Sequence, residues 1–246
     1  MNISTRILLL TLLLPAFLSA QETDGFQTDL QAGFTLTDGN SETTVLNMGI
    51  ASKNIKEKQE TLLSASYDYG RTTNTDANGV ETESTNLDRG KLEGQSNWLL
   101  SKDLYTFYNL TAEKDERANV DYRVNNGPGF GYYFLRTDEK LLSTETSIVY
   151  VMEEVGGVQD DYAAFRLAQR AELTFSDGAR IWQSFEGILS FSDTDNYFLT
   201  AELGAEAKLH ARLALRVVLK DKYDNQPDSN VEKNDLTIFS GISVKL

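Results

Sequence analysis

The chain has 246 residues, no cysteine, a single histidine, and 37 acidic side chains against 23 basic ones, a formal net charge of −14. With no thiols there is no disulfide framework, and no cysteine or histidine cluster exists for zinc. An acidic balance of this size also argues against nucleic acid, whose phosphates need a surplus of lysine and arginine.

The first element is a leader. Met1 to Arg6 carries one positive charge, Ile7 to Leu18 is an apolar run, and Leu18-Ser19-Ala20 offers a small-residue cleavage site. That order is the pattern of a cleavable secretory signal peptide over residues 1–20. The run contains Thr11 and Pro15 and falls short of the roughly twenty apolar residues a helix needs to span a bilayer. No cysteine follows the cleavage region, which argues against a lipoprotein. Residues 21–246 contain no proline- or serine-rich linker, so they read as one domain.

Beyond Gln21 the period is two. In Phe26 to Leu36 the even positions are Phe26, Thr28, Leu30, Ala32, Phe34 and Leu36, and the odd ones are polar or small. A strand sends these two sets to opposite faces. The same alternation gives strands near 26–36, 43–53, 60–70, 86–99, 103–114 and 122–135. Six more follow near 140–152, 163–175, 179–191, 195–207, 211–221 and 235–246, the last ending on its apolar phase at Leu246. The expected fold class is all-β, an antiparallel transmembrane β-barrel of about 12 strands.

The connections orient it. With the N-terminus in the periplasm, the even-numbered connections are short turns and the odd-numbered ones face outward. Arg71 to Thr85, Asp115 to Asp121, Glu153 to Tyr162 and Lys222 to Asn234 are expected as long outer loops. Closure follows because hydrocarbon offers no partner to backbone N–H and C=O groups, so a sheet in lipid must leave no edge. Trp98, Tyr132, Phe134, Tyr150, Trp182, Phe191 and Tyr197 lie near run ends and are expected in the interfacial girdles.

Several stretches resemble a known family. They are Gly39-Asn40-Ser41-Glu42-Thr43-Thr44, Asn119-Val120-Asp121-Tyr122-Arg123, Gly127-Pro128-Gly129-Phe130-Gly131-Tyr132-Tyr133-Phe134, and the closing Lys233-Asn234-Asp235-Leu236. Together with the strand spacing the chain resembles the YdiY-like salt-induced outer-membrane proteins, a bacterial group defined by a domain of unknown function. The resemblance implies a barrel and outer-membrane residence, and it carries over no catalytic or ligand residue. One departure is Leu246, where outer-membrane barrels usually end in phenylalanine.

No residue pattern suggests catalysis. His210 sits in the short Lys208-Leu209-His210 turn on the periplasmic side, the wrong end for a barrel hydrolase acting on the outer leaflet. Gly127, Gly129 and Gly131 lack the lysine of a P-loop and the helix of a dinucleotide site. They share one strand face, a glycine stripe that either bends the strand or makes room for an inward loop or bulky neighbour. Pro128 among them calls for a bulge or distorted pairing.

The polar face carries near-balanced charges, which point to a cross-linked interior or a narrow, weakly selective passage rather than a selective pore. A hairpin centred on Leu209 would place Glu206 opposite Arg212 and Glu202 opposite Arg216, with Glu186 and Arg170 paired across the preceding hairpin. The acidic outer segments, such as Glu153, Glu154, Asp160, Asp161, Asp224 and Asp228, are oxygen-rich but have no EF-hand spacing, and read as solvated surface.

The expectation is therefore an outer-membrane barrel, structural or weakly porin-like, not an enzyme, with no cofactor and no metal site. Its partners would be outer-membrane lipid and lipopolysaccharide, and the barrel assembly machinery during biogenesis. The alternatives are an outer-membrane lipase or protease, and a soluble periplasmic β-barrel binding a small ligand.

Overall fold

A computed structural model describes residues 25–37, 41–75, 81–175, 178–229 and 231–246. The signal peptide expected over 1–20 lies outside the described residues. Twelve strands form one closed antiparallel barrel: β1 (Phe26–Thr37), β2 (Ser41–Lys56), β3 (Gln59–Thr75), β4 (Glu81–Leu99), β5 (Leu104–Asp115) and β6 (Val120–Arg136). It continues through β7 (Lys140–Val155), β8 (Val158–Thr174), β9 (Arg180–Ser190), β10 (Tyr197–Lys208), β11 (Leu213–Asp224) and β12 (Asn234–Lys245), which returns to β1. Each strand pairs with its neighbours in sequence, so the twelve expected runs are twelve staves.

Period two becomes inside and outside. On β7, Ile148 is 61% exposed while Ser147 and Val149 on either side are buried. Leu92 and Ile238 are likewise more than half exposed, as are Phe130 and Phe134, and all lie on the outer face. Apolar side chains therefore cover the outside of the barrel, and the charged set lies within.

The strands are longer than the alternation suggested, and most of the expected outer loops are strand. The Glu153 to Tyr162 connection shrinks to Gly156-Gly157, both with positive φ (58° and 77°), as a tight two-residue hairpin requires. Glu153 pairs with Asp160 and Glu154 with Gln159, so polar residues that read as loop continue the ladder instead. The 71–85 segment does the same: β3 runs to Thr75 and β4 begins at Glu81, with an Arg71–Glu83 ion pair of 3.2 Å between them. Only 225–233 remains long. A tilted strand needs about 9–11 residues to cross a bilayer's apolar layer; β2, β3, β4, β6, β7 and β8, with 16 to 19, are longer than that.

Ladder irregularities fall near strand ends, at Gly70/Arg71, Glu113/Asp115, Val120/Tyr122 and Tyr133/Leu135. Such bulges bend and twist a barrel rim. None occurs at Pro128, where one was expected. Pro128 pairs with Tyr108 of β5, and toward β7 the ladder skips from Asn126↔Tyr150 to Gly129↔Ser147 without a shift. The missing N–H is accommodated by a gap, and Gly127 lets the backbones close over it: a Cβ there would stand 2.1 Å from the Ile148 carbonyl oxygen.

The closing seam differs from the rest of the wall. β1 pairs β2 over twelve residues, from Phe26↔Asn54 to Thr37↔Thr43. Against β12 it pairs over four, from Asp29↔Lys245 to Ala32↔Ile242.

Candidate functional site: the barrel interior

The interior is built on glycine–aromatic pairs. Tyr105 of β5 stands opposite Gly131 of β6, and Phe107 opposite Gly129. A Cβ at Gly131 would lie 2.1 Å from Tyr105 Cζ, and one at Gly129 2.4 Å from Phe107 Cζ. The glycine stripe is therefore the bed of two aromatic rings, the bulky-neighbour alternative, since β6 has no side chain there to hold them off. Tyr133 covers Tyr105 with ring centroids 4.7 Å apart. On another wall Trp182 lies over Gly204, where a Cβ would be 2.0 Å from Cζ2.

Trp182 corrects an expectation. It was placed in an interfacial girdle, but it is buried inside and its indole N–H donates to Glu202 at 2.7 Å. Its position in β9 has the parity of Glu186, which already pointed inward. Trp98, Tyr132, Phe134, Tyr150 and Phe191 are exposed on the outer face, and Tyr197 is half-buried and stacked on Tyr223 at 6.0 Å.

Ion pairs fill the interior in tiers. Near the outer rim Arg123 meets Glu153 at 2.5 Å, Asp224 at 3.3 Å and Glu113 at 3.6 Å, with its guanidinium 3.9 Å over the Phe198 ring. The Tyr162 hydroxyl donates to the same Glu153 at 3.0 Å. At mid-height Glu145 accepts from Gln95 (2.7 Å), Tyr105 (3.0 Å) and Arg166 (3.1 Å), and Arg166 also bonds Glu186 at 2.7 Å. Toward the short-turn end buried Glu60 accepts from Arg136, from the Tyr133 hydroxyl at 2.8 Å and from Asn97 at 3.2 Å.

One bridge crosses the whole section. Lys222 of β11 donates to Glu113 of β5 at 3.0 Å, and these strands are six apart whichever way the wall is followed. Twelve strands spaced about 4.8 Å and tilted about 40° would set opposite walls roughly 24 Å apart in a circular section. A lysine and a glutamate touching at their tips span only about 14 Å between Cα atoms. The section is flattened at this level.

The expected pairs change partners. β10 and β11 register as Glu206↔Arg216 and Glu202↔Lys220, each partner shifted four residues from that of the Leu209-centred hairpin. The turn takes 209–212, closed by Leu209 N–H to Leu213 O at 2.9 Å, so Arg212 sits exposed in the turn. Glu206 instead faces Arg180 at 3.2 Å and accepts from Ser243 at 3.0 Å. Arg216 lies 4.6 Å over the Trp182 ring. Glu186 pairs with Arg166 rather than Arg170, which stands opposite Ser184 and bonds Glu172 at 2.7 Å. Glu202 and Glu206 are nonetheless on the inner face, because a shift of four residues preserves parity.

Glu60, Arg180 and Lys222 join the interior network without belonging to any expected pair, and Glu153 and Asp224, expected as solvated surface, bond Arg123 inside. Parity held the missing signal. Lys222 is on the face of Lys220, and Glu153 on the face of Val149 and Val151, once the strands are extended. His210 lies exposed in the β10–β11 turn. Among the described residues no group of three or more acidic or histidine side chains converges as a metal site.

The NanC porin has a similar fold, with 9% identity and a TM-score of 0.52 over 89% of this chain and 100% of that one. The KdgM porin aligns at 9% identity and 0.45, covering 90% and 99%. The translocator domain of the autotransporter NalP from Neisseria meningitidis aligns at 12% and 0.44, covering 90% and 87%. At these identities the likeness concerns the fold alone. Comparison with the curated proteins gives no match. A family model described as "Protein of unknown function, DUF481" matches residues 30–245.

Proposed function

The chain belongs to the DUF481 family, proteins of unknown function, and from the barrel's own geometry we propose that it is an outer-membrane β-barrel, structural or weakly porin-like, with a narrow, cross-linked lumen. The observation that carries this reading is the inverted distribution of side chains: apolar residues cover the outside, and ion pairs bridge the inside as far as opposite walls. A soluble ligand-binding barrel needs the reverse. In water the outer face would be an apolar patch far beyond the few hundred Å² that soluble monomers tolerate; in lipid it is a solvated surface.

The same reading takes the leader as a cleaved signal peptide, lipid and lipopolysaccharide as surroundings, and the barrel assembly machinery as the route of insertion. It assigns no catalytic role: the single histidine, His210, lies exposed in the β10–β11 turn. The salt-induced character of YdiY-like proteins is part of it, checked by the protein's level after a salt shift.

Planar-bilayer recording tests the lumen. The wild-type barrel should show small or no conductance steps, and the Glu113→Ala/Lys222→Ala double variant, which removes the cross-barrel bridge, should show larger ones. Large steady steps from the wild type would overturn the narrow lumen.

A further inference from the structure

We propose that the β1–β12 seam is a lateral opening in the outer half of the wall, through which an acyl chain of an outer-leaflet amphiphile reaches the lumen. It rests on the membrane reading above.

Below Ala32 the seam is zipped, ending with Leu246 N–H donating to Thr28 O at 2.9 Å. The fork lies at two facing glycines. A Cβ on Gly33 would be 2.6 Å from the Ser240 carbonyl oxygen, and one on Gly241 2.3 Å from the Ala32 carbonyl oxygen, so the backbones still touch there. Above the fork no β1–β12 pair forms among the described residues, although β1 remains laddered to β2 as far as Thr37 and β12 to β11 as far as Asn234. Both strands are intact and simply part.

Arg89 supplies the physical reason. From β4 it reaches Asp235 at 3.0 Å and Thr237 at 3.4 Å, and its guanidinium lies 5.7 Å from the Phe239 ring. All three are inward residues of the outer half of β12. Arg89 is itself anchored on Asp68 at 2.9 Å, and Asp68 accepts from Asn47 at 3.1 Å. Arg89, buried on Asp68, thus ties this half of β12 through the half-exposed Asp235 inward across the lumen toward β4, out of the line of the wall.

Location selects the occupant. β1 has twelve residues, about the length a crossing strand needs, so its outer half lies inside the apolar layer and not above it. Leu236 and Ile238 are exposed on the outer side of the slit, and Phe239 faces its inner side. Unpaired strand edges in hydrocarbon are tolerated only beside a polar cavity. An acyl chain fits between the apolar rim and the Phe239 ring, with the polar lumen beside the freed backbone groups.

The test uses the full barrel in liposomes and exploits its lack of native cysteine. A Leu30→Cys/Val244→Cys pair in the zipped part should cross-link under mild oxidation about tenfold or more faster than a Phe34→Cys/Ser240→Cys pair above the fork. Arg89→Met should close much of that gap. In a Trp98→Phe background, Phe239→Trp should add fluorescence that lipids with brominated acyl chains quench, while Trp182 stays unquenched. Equal cross-linking rates, or a Phe239→Trp signal spared while wild-type Trp98 is quenched, would overturn the lateral opening alone. Wild-type Trp98 escaping quenching would overturn the membrane reading, and the opening with it.

Discussion

Gly131→Val should keep most of the protein from reaching its folded barrel. A branched side chain at 131 would begin 2.1 Å from Tyr105 Cζ, inside the ring's own volume. The ring has nowhere to go: it is held by Tyr133 at 4.7 Å and by a hydrogen bond to Glu145 at 3.0 Å. Overpacking a core commonly costs about 1–3 kcal/mol, and here the obstacle is a pinned ring on a strand already interrupted at Pro128. A loss of about 3 kcal/mol or more is expected, read by urea unfolding or by heat-modifiable gel migration. Adding Tyr105→Ala to Gly131→Val should restore part of the folding, because it empties the space the valine enters. If Gly131→Val folds as the wild type does, Tyr105 does not lie on β6.

Glu153→Ala should be the most damaging single change among the interior acids. It takes the 2.5 Å partner from Arg123 and the acceptor from Tyr162 in a site where both charged side chains are about nine-tenths shielded. Breaking a buried pair from one side typically costs about 3–5 kcal/mol, since the remaining charge stays desolvated. Asp224 and Glu113 still face Arg123, so the lower end of that range is expected. The exposed Arg71–Glu83 pair supplies the contrast: Glu83→Ala should change stability by less than about 0.5 kcal/mol. Equal effects from the two substitutions would mean that the rim around Arg123 is open to water.

Parity and register were not equally legible. Face assignment depends only on counting by two, and it survived where the details failed: Glu202 and Glu206 point inward although the β10–β11 hairpin is centred on 211, two residues from its expected centre at Leu209. Register depends on where a turn closes, and Leu209-His210-Ala211-Arg212 contains no Gly, Pro or Asn to mark it. Strand ends were hidden for another reason. Glu153, Glu154, Gln159 and Asp160 have loop-like composition, yet they continue the β7–β8 ladder up to the Gly156-Gly157 turn. Gly156-Gly157 was the available hairpin signal.

The partners of each charge were the least legible. Lys222 and Glu113 are more than a hundred residues apart, and only a closed barrel of flattened section brings them together. Arg89 and Asp235 are further apart still. The glycine stripe, by contrast, advertised space on β6, and the rings that fill it belong to the strand directly opposite.

Single cysteines along β7 test most directly whether the outer face lies in lipid. The chain has no native cysteine to remove, and Ile148, Tyr150, Met152 and Glu154 follow one another up that face. In intact cells, a membrane-impermeant maleimide should label Glu154→Cys and Gly157→Cys and leave Ile148→Cys unlabelled. Ready labelling of Ile148→Cys in the folded barrel would contradict a membrane-spanning wall.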